Sequence, residues 1–158
     1  MLNIKKIAIP IDFSEYSQKA LIYALSIAEQ FKSEVHLLTV LDDRVYDDRR
    51  LAVYTLDELI KDRLKQQDED LDAMIKEVLM PSQKKIKLKK VVKIGIPFSE
   101  IIKYAEEELI DLIIQGSHGR TGIAHLLVGS TTEKVIRKAP CPVLVVRPSE
   151  REFVTVDK

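Results

Sequence analysis

The stretch DLIIQGSHGRTGIAHLLVGSTTEKVIRKAPCPVLVVR, residues 111–147, carries two short apolar runs, DLIIQ and PVLVVR, separated by a glycine-rich segment and a helical pattern. Runs this short and rich in β-branched residues suit strands covered on both faces of a parallel sheet. The helical pattern from about Thr131 to Lys138 then reads as the crossover between them, because parallel neighbours cannot be joined by a tight hairpin.

Upstream the same alternation recurs. IKKIAIPI, residues 4–11, is a strand pattern ending at an Asp-Phe-Ser turn, after which Ser14 is placed to cap a helix marked by Ala20, Ala24, Ile27, Ala28 and Phe31. EVHLLTVL, residues 34–41, supplies a second strand, and the charged, aperiodic stretch from Asp42 to Arg50 reads as a loop. Leu56, Leu59, Ile60, Leu64, Leu71, Met74, Ile75, Val78 and Leu79 mark one face of a long helix that Pro81 ends; the heptad spacing within it is too brief for a coiled coil. KIKLKKVVKI, residues 85–94, is the third strand, and Gly95 and Pro97 lead into a helix carrying Ile101, Ile102, Ala105 and Leu109. Strands alternating with helices in this way predict an α/β fold, a parallel sheet with helices on both faces and right-handed crossovers. A chain of 158 residues, 46% hydrophobic, suffices for one core, so a single domain over residues 1–148 and a polar tail over 149–158 are expected.

The glycine segment is where chemistry is expected. Gly116 and Gly119 lack a Cβ and can take positive φ, which lets main-chain N–H groups approach an anion closely. Gly129 precedes a helix in which Ser130 and Glu133 have capping-box spacing, and a helix start presents free N–H groups and the positive end of a dipole. Hydroxyls of Ser130 and Thr131, and a third from Thr132, add neutral donors, while Arg120 adds the segment's one full positive charge, in reach of outer phosphates. Each feature alone is an ordinary turn or cap; their combination between one strand end and the next helix points to a phosphate cradle. There is no GxxxxGK[ST], and glycines at 116, 119 and 122 do not match GxGxxG, so neither a P-loop nor a dinucleotide fingerprint is present.

What the segment resembles is the ATP-binding subgroup of the universal stress protein family, with its G-x2-G-x9-G-[ST] motif at Gly116, Gly119, Gly129 and Ser130. IPIDFSEYSQKAL, GIPFSEII, DLIIQGSHGRTG and APCPVLVVR extend the resemblance over nearly the whole chain. It implies a Rossmann-like open sheet of five parallel strands in the order 3-2-1-4-5, with ATP, or AMP or ADP, at the switch point beside strands one and four. It also implies that Asp12 and Val40 surround the adenine and ribose, with Pro10 of the same first-strand motif added to the site, and that Gly116, Gly119, Arg120, Gly129, Ser130 and Thr131 surround the phosphates; His118, inside the loop, is expected beside them. A carboxylate repels phosphate but accepts hydrogen bonds from amines and hydroxyls, which agrees with Asp12 at the nucleoside end. Mg2+ is expected through the phosphates, because no acidic pair stands near the loop in sequence.

Lys plus Arg equals Asp plus Glu, so no net field draws the chain to nucleic acid or an anionic membrane. No apolar stretch reaches a transmembrane length or a signal-peptide core, and the single cysteine, Cys141, forms no internal disulfide framework; a cytoplasmic protein is expected. Cys141 reads as a small core residue, His36 as a satisfied strand residue, and His118 and His125 lack a third metal ligand. The lysines of KKIKLKK read as protection of an edge strand, not a nucleic-acid patch. The opposite edge, Val143, Leu144, Val145 and Val146, is uncharged, and both this and the resemblance predict a homodimer through it. Catalytic residues are not evident: only His118 in the loop can act as a base, so a regulatory or protective role in stress response with at most slow ATP hydrolysis is expected. A substrate-adenylating enzyme is the alternative, but SGGxDS and HxGH are missing; a non-nucleotide interaction module is a third reading, which the intact glycine motif opposes.

Overall fold

The computed structural model describes residues 1–42, 56–119 and 128–147. Its elements are β1 (Lys6–Ile11), α1 (Glu15–Phe31), β2 (Glu34–Leu41), α2 (Leu56–Val78), a 3-10 turn (Pro81–Lys85), β3 (Leu88–Ile94), α3 (Pro97–Glu107), β4 (Leu112–Gly116), α4 (Ser130–Lys138) and β5 (Val143–Val146). The strands form one sheet in the order β3-β2-β1-β4-β5, every pairing parallel, as expected of a doubly wound α/β fold. The loop expected from Asp42 to Arg50 lies, beyond Asp42, outside the described residues, as does the tail expected over 149–158.

Side-chain alternation along each strand sorts the core onto two faces. Ile7, Ile9, Val35, Leu37 and Ile114 pack against α1 and α2 through Leu21, Leu25, Leu71 and Met74. Ala8, Leu38 and Ile113 pack on the other face against Ile101, Tyr104, Ala105 and Val135 of α3 and α4. The stripe predicted for α2 is buried at Leu71, Met74 and Val78 and half-buried at Ile60, Leu64, Ile75 and Leu79; the side chains of Leu56 and Leu59 are outside the description. Ser14 caps α1 as expected, accepting from the Ser17 N–H at 3.2 Å.

Two local readings change. Asp111 precedes β4 instead of opening it, because its carboxylate accepts from the Lys5 and Lys6 N–H groups at 2.8 and 2.9 Å and so pins the start of β1. β3 begins at Leu88, because the 3-10 turn Pro81–Lys85 takes up Lys85, and Ile86 and Lys87 connect it to the strand. The lysines of this edge strand do more than shield it. Lys90 bridges Asp68 and Asp72 of α2 at 2.9 and 2.8 Å, and Lys89 reaches Glu108 at the end of α3 at 3.0 Å, so they hold helices on opposite faces. Among the described residues no helix is long and apolar enough to cross a membrane.

Candidate functional site

Beyond the C-terminal ends of β1, β2 and β4, over the α3 and α4 face, lies a cleft of about 340 Å3. That is within the range of small-ligand sites, roughly 300–1,000 Å3. Pro10 and Asp12 line it from the end of β1, Val40 from β2, Gly116, His118 and Gly119 from the end of β4, and Gly129, Ser130 and Thr131 from the start of α4. Pro10 and Asp12 stand more than a hundred positions before Gly116 in sequence and meet it because β1 and β4 are neighbours at the point where the strand order reverses. Arg120 lies outside the described residues.

Asp12 is held by the turn that follows β1. Phe13 takes φ 64°, a left-handed conformation uncommon for a bulky residue, and the chain folds so that Asp12 Oδ1 accepts from the Ser14 N–H at 3.1 Å and its hydroxyl at 2.6 Å. One oxygen of the carboxylate is therefore already occupied by Ser14.

The glycines work by close approach, not by unusual backbone angles. Among the described glycines only Gly95 has positive φ, 147°, so the left-handed geometry expected at Gly116 and Gly119 is absent. A Cβ on Gly116 would stand 2.6 Å from Tyr16 Cβ and 2.8 Å from the Tyr16 carbonyl carbon, which shows that this glycine lets the first turn of α1 lie on the end of β4. At Gly119 a Cβ would stand 2.7 Å from Asp12 Oδ2, so this glycine makes room for the carboxylate. The Gly129 N–H donates to the Ser117 carbonyl at 2.7 Å, closing the segment on itself.

α4 starts one residue earlier than the capping-box reading requires. Gly129 is its N-cap, with no side-chain cap, and Glu133 pairs with Arg137 at 3.0 Å instead of reaching back. A helix start without a side-chain cap leaves first-turn N–H groups for another acceptor. Thr132 is not a ligand donor: its hydroxyl donates to the Gly116 carbonyl at 3.0 Å and fastens α4 to β4. His118 shares a hydrogen bond with the Ser117 hydroxyl at 3.0 Å and packs on Tyr16 with ring centroids 5.4 Å apart.

Sequence reasoning named Val40 on the far wall of the cleft and missed the rest of that wall. Leu38 and Val40 of β2 with Pro97 and Ile101 of α3 form an apolar side, and Asp42 and Gln115 also line it. Pro97 and Ile101 were legible as helix residues only; that α3 crosses above β2 is a tertiary fact. Two carboxylates, Asp12 and Asp42, line the cleft where the sequence suggested one, but no cluster of three or more metal-ligating side chains occurs among the described residues. His36, expected to be a satisfied strand residue, sits at the opposite end of β2, with Nδ1 sharing a hydrogen bond with Tyr104 Oη at 2.8 Å and Nε2 without one. Cys141 is half-buried beside the α3 and α4 core, and burial pushes its thiol up.

The model of the Universal stress protein family matches residues 3–147. Universal stress protein MJ0531 of Methanocaldococcus jannaschii is 37% identical over 148 residues, covering 94% of this chain and 85% of that protein. Universal stress protein MJ0577 of the same organism is 36% identical over 155 residues, covering 90% of this chain and 94% of that protein. The solved structure of MJ0577 aligns over 95% of this chain and 100% of its own with a TM-score of 0.76. A universal stress protein solved with cAMP and one from Archaeoglobus fulgidus solved with dAMP, 20% and 17% identical, have TM-scores of 0.64 and 0.59 and share the fold.

Proposed function

The chain belongs to the universal stress protein family, and from that premise we propose that it binds an adenine nucleotide, ATP in the first instance, in a regulatory or protective role in the cytoplasm. The observation that carries the reading is the division of the cleft into an apolar side, Leu38, Val40, Pro97 and Ile101, and a side made of Gly119 and the start of α4. A purine ring suits the first and phosphates the second, where N–H groups and the positive dipole end of the helix favour anions. Asp12 and Val40 belong to the nucleoside end in this reading, and Gly116, His118, Gly119, Gly129, Ser130 and Thr131, joined by Arg120, to the phosphate end. Mg2+ would be held chiefly through the phosphates. Asp12 Oδ1 and His118 Nδ1 are already engaged by Ser14 and Ser117, which favours slow hydrolysis or none over a poised general base.

The test is titration calorimetry with ATP and with adenosine. Wild-type protein is expected to bind ATP, and Gly119→Val to weaken that binding by about tenfold or more, ~1.4 kcal/mol. The added Cβ would collide with the Asp12 carboxylate and displace both sides of the cleft at once. Equal ATP affinity in a normally folded Gly119→Val protein would refute the placement.

A further inference from the structure

One position before its end, β4 carries a residue that packing does not explain. Gln115 is 3% exposed, and its Oε1 is closed off from solvent with no hydrogen-bond partner. The alternation of the strand puts it on the same face as Ile113, above a core of Ala8, Leu38, Ile101 and Val135, where an aliphatic side chain would continue the pattern. Ala8 pairs with Ile113 and Pro10 with Leu38, so two residues further along β4 Gln115 stands level with Pro10 and Leu38. All three line the cleft. A buried amide oxygen left without a donor bears the full desolvation penalty of the group, which an aliphatic residue of the same shape would avoid.

We infer that the Gln115 amide is the base-reading group of the cleft, accepting through Oε1 a hydrogen bond from the exocyclic amino group of a bound adenine. The inference rests on the nucleotide-binding reading above and adds to it a residue that selects the base. Gln115 shares the floor of the cleft with Leu38 and Pro10, apolar neighbours that suit a purine ring and not phosphate, so the group it meets is assigned to the ring. The terminal torsion of a glutamine is soft, and a small turn of the amide brings the oxygen to the ligand without moving the strand. An amide is also the side chain whose paired acceptor and donors match an adenine edge, where an amino group lies beside a ring nitrogen. A site that makes such a bond rejects an analogue lacking the donor, because the buried oxygen is again left alone.

The experiment compares ATP with purine riboside 5′-triphosphate, in which hydrogen replaces the 6-amino group, on wild-type protein and on Gln115→Met. Methionine keeps the length and volume of the side chain and removes the amide. Wild-type protein is expected to prefer ATP by about tenfold or more, and Gln115→Met to bind the two within about twofold of each other, the difference being the coupling between amide and amino group. Thermal unfolding without nucleotide separates this from a structural role: Gln115→Met is expected to melt at the wild-type temperature or above, because it removes an unpartnered buried group. Equal affinity of wild-type protein for the two triphosphates overturns the inference while leaving nucleotide binding intact, and needs no variant. Undiminished preference in Gln115→Met, or a melting temperature several degrees lower in the absence of nucleotide, also overturns it. Binding of neither triphosphate by wild-type protein defeats the nucleotide reading itself, and the inference falls with it.

Discussion

His36 stands between a phenol and a carboxylate at the start of β2, 1% exposed, with Nε2 3.4 Å from Glu34 Oε1. Burial holds its pKa below the ordinary 6.5, outweighing the upward pull of Glu34; Lys89 and Lys6 push the same way as burial and Glu108 opposes them. The folded chain therefore resists a proton that the unfolded chain accepts. Stability is full above pH 6.5 and declines as pH falls below that value. Glu34 and Glu108, each held below the ordinary 4.5 by a hydrogen bond from Lys87 or Lys89, add a second loss only at lower pH. Thermal unfolding across this range should show the melting temperature falling as the pH drops below 6.5, and His36→Gln, which retains a polar partner for Tyr104, should flatten that limb. An unchanged limb in His36→Gln would assign the decline to other groups. The histidine was legible in sequence as a strand residue, but not its environment: Tyr104 is 68 positions away and arrives only when α3 packs on the sheet.

Helix α4 shows how an element can be predicted correctly and anchored differently. Its span follows from residues 130–138, yet Ser130 and Glu133, which have capping-box spacing, do not form the box, and Thr132 makes the bond that matters to the site. Thr132 is 5% exposed and its hydroxyl serves a carbonyl at the end of β4. Thr132→Val should destabilise the protein by about 1–3 kcal/mol, because a buried acceptor loses its donor. Ser130→Ala should cost less than about 0.5 kcal/mol, as at an ordinary surface position. Urea unfolding of both variants checks the contrast. A loss of about 1 kcal/mol or more from Ser130→Ala would be the signature of a cap and would contradict the arrangement.

For the whole molecule, the two sheet edges are unlike. β3 carries Lys89, Lys90 and Lys93 and is tied by ion pairs to α2 and to the end of α3, whereas β5 is four residues, Val143–Val146, with no charge before Arg147. Val143, Leu144 and Val145 are only half-buried within one chain. A two-fold axis would let two such edges pair antiparallel and bury the valines of both copies, so we propose a homodimer through β5. Light scattering after size exclusion is expected to give a dimer at tens of micromolar, and Val145→Pro, which removes a ladder donor at the edge, to give mostly monomer. A wild-type monomer, or a Val145→Pro dimer of undiminished stability, sinks the proposal.

The order of elements, the parallel sheet and the membership of Gly116, Gly119, Gly129 and Ser130 in one segment were determined by the sequence alone, because periodicity, turn chemistry and motif spacing are local properties of the chain. Asp12, Val40 and Pro10 were assigned to the same site only through resemblance, and the fold agrees that they line the same cleft. What only the tertiary structure decided is what each glycine makes room for, where α3 closes the apolar side, and that Gln115 is buried without a partner. A glycine or a glutamine is written identically in sequence whether it faces a helix backbone, a carboxylate or a ligand. Its role is fixed by neighbours that crossover connections bring from distant parts of the chain.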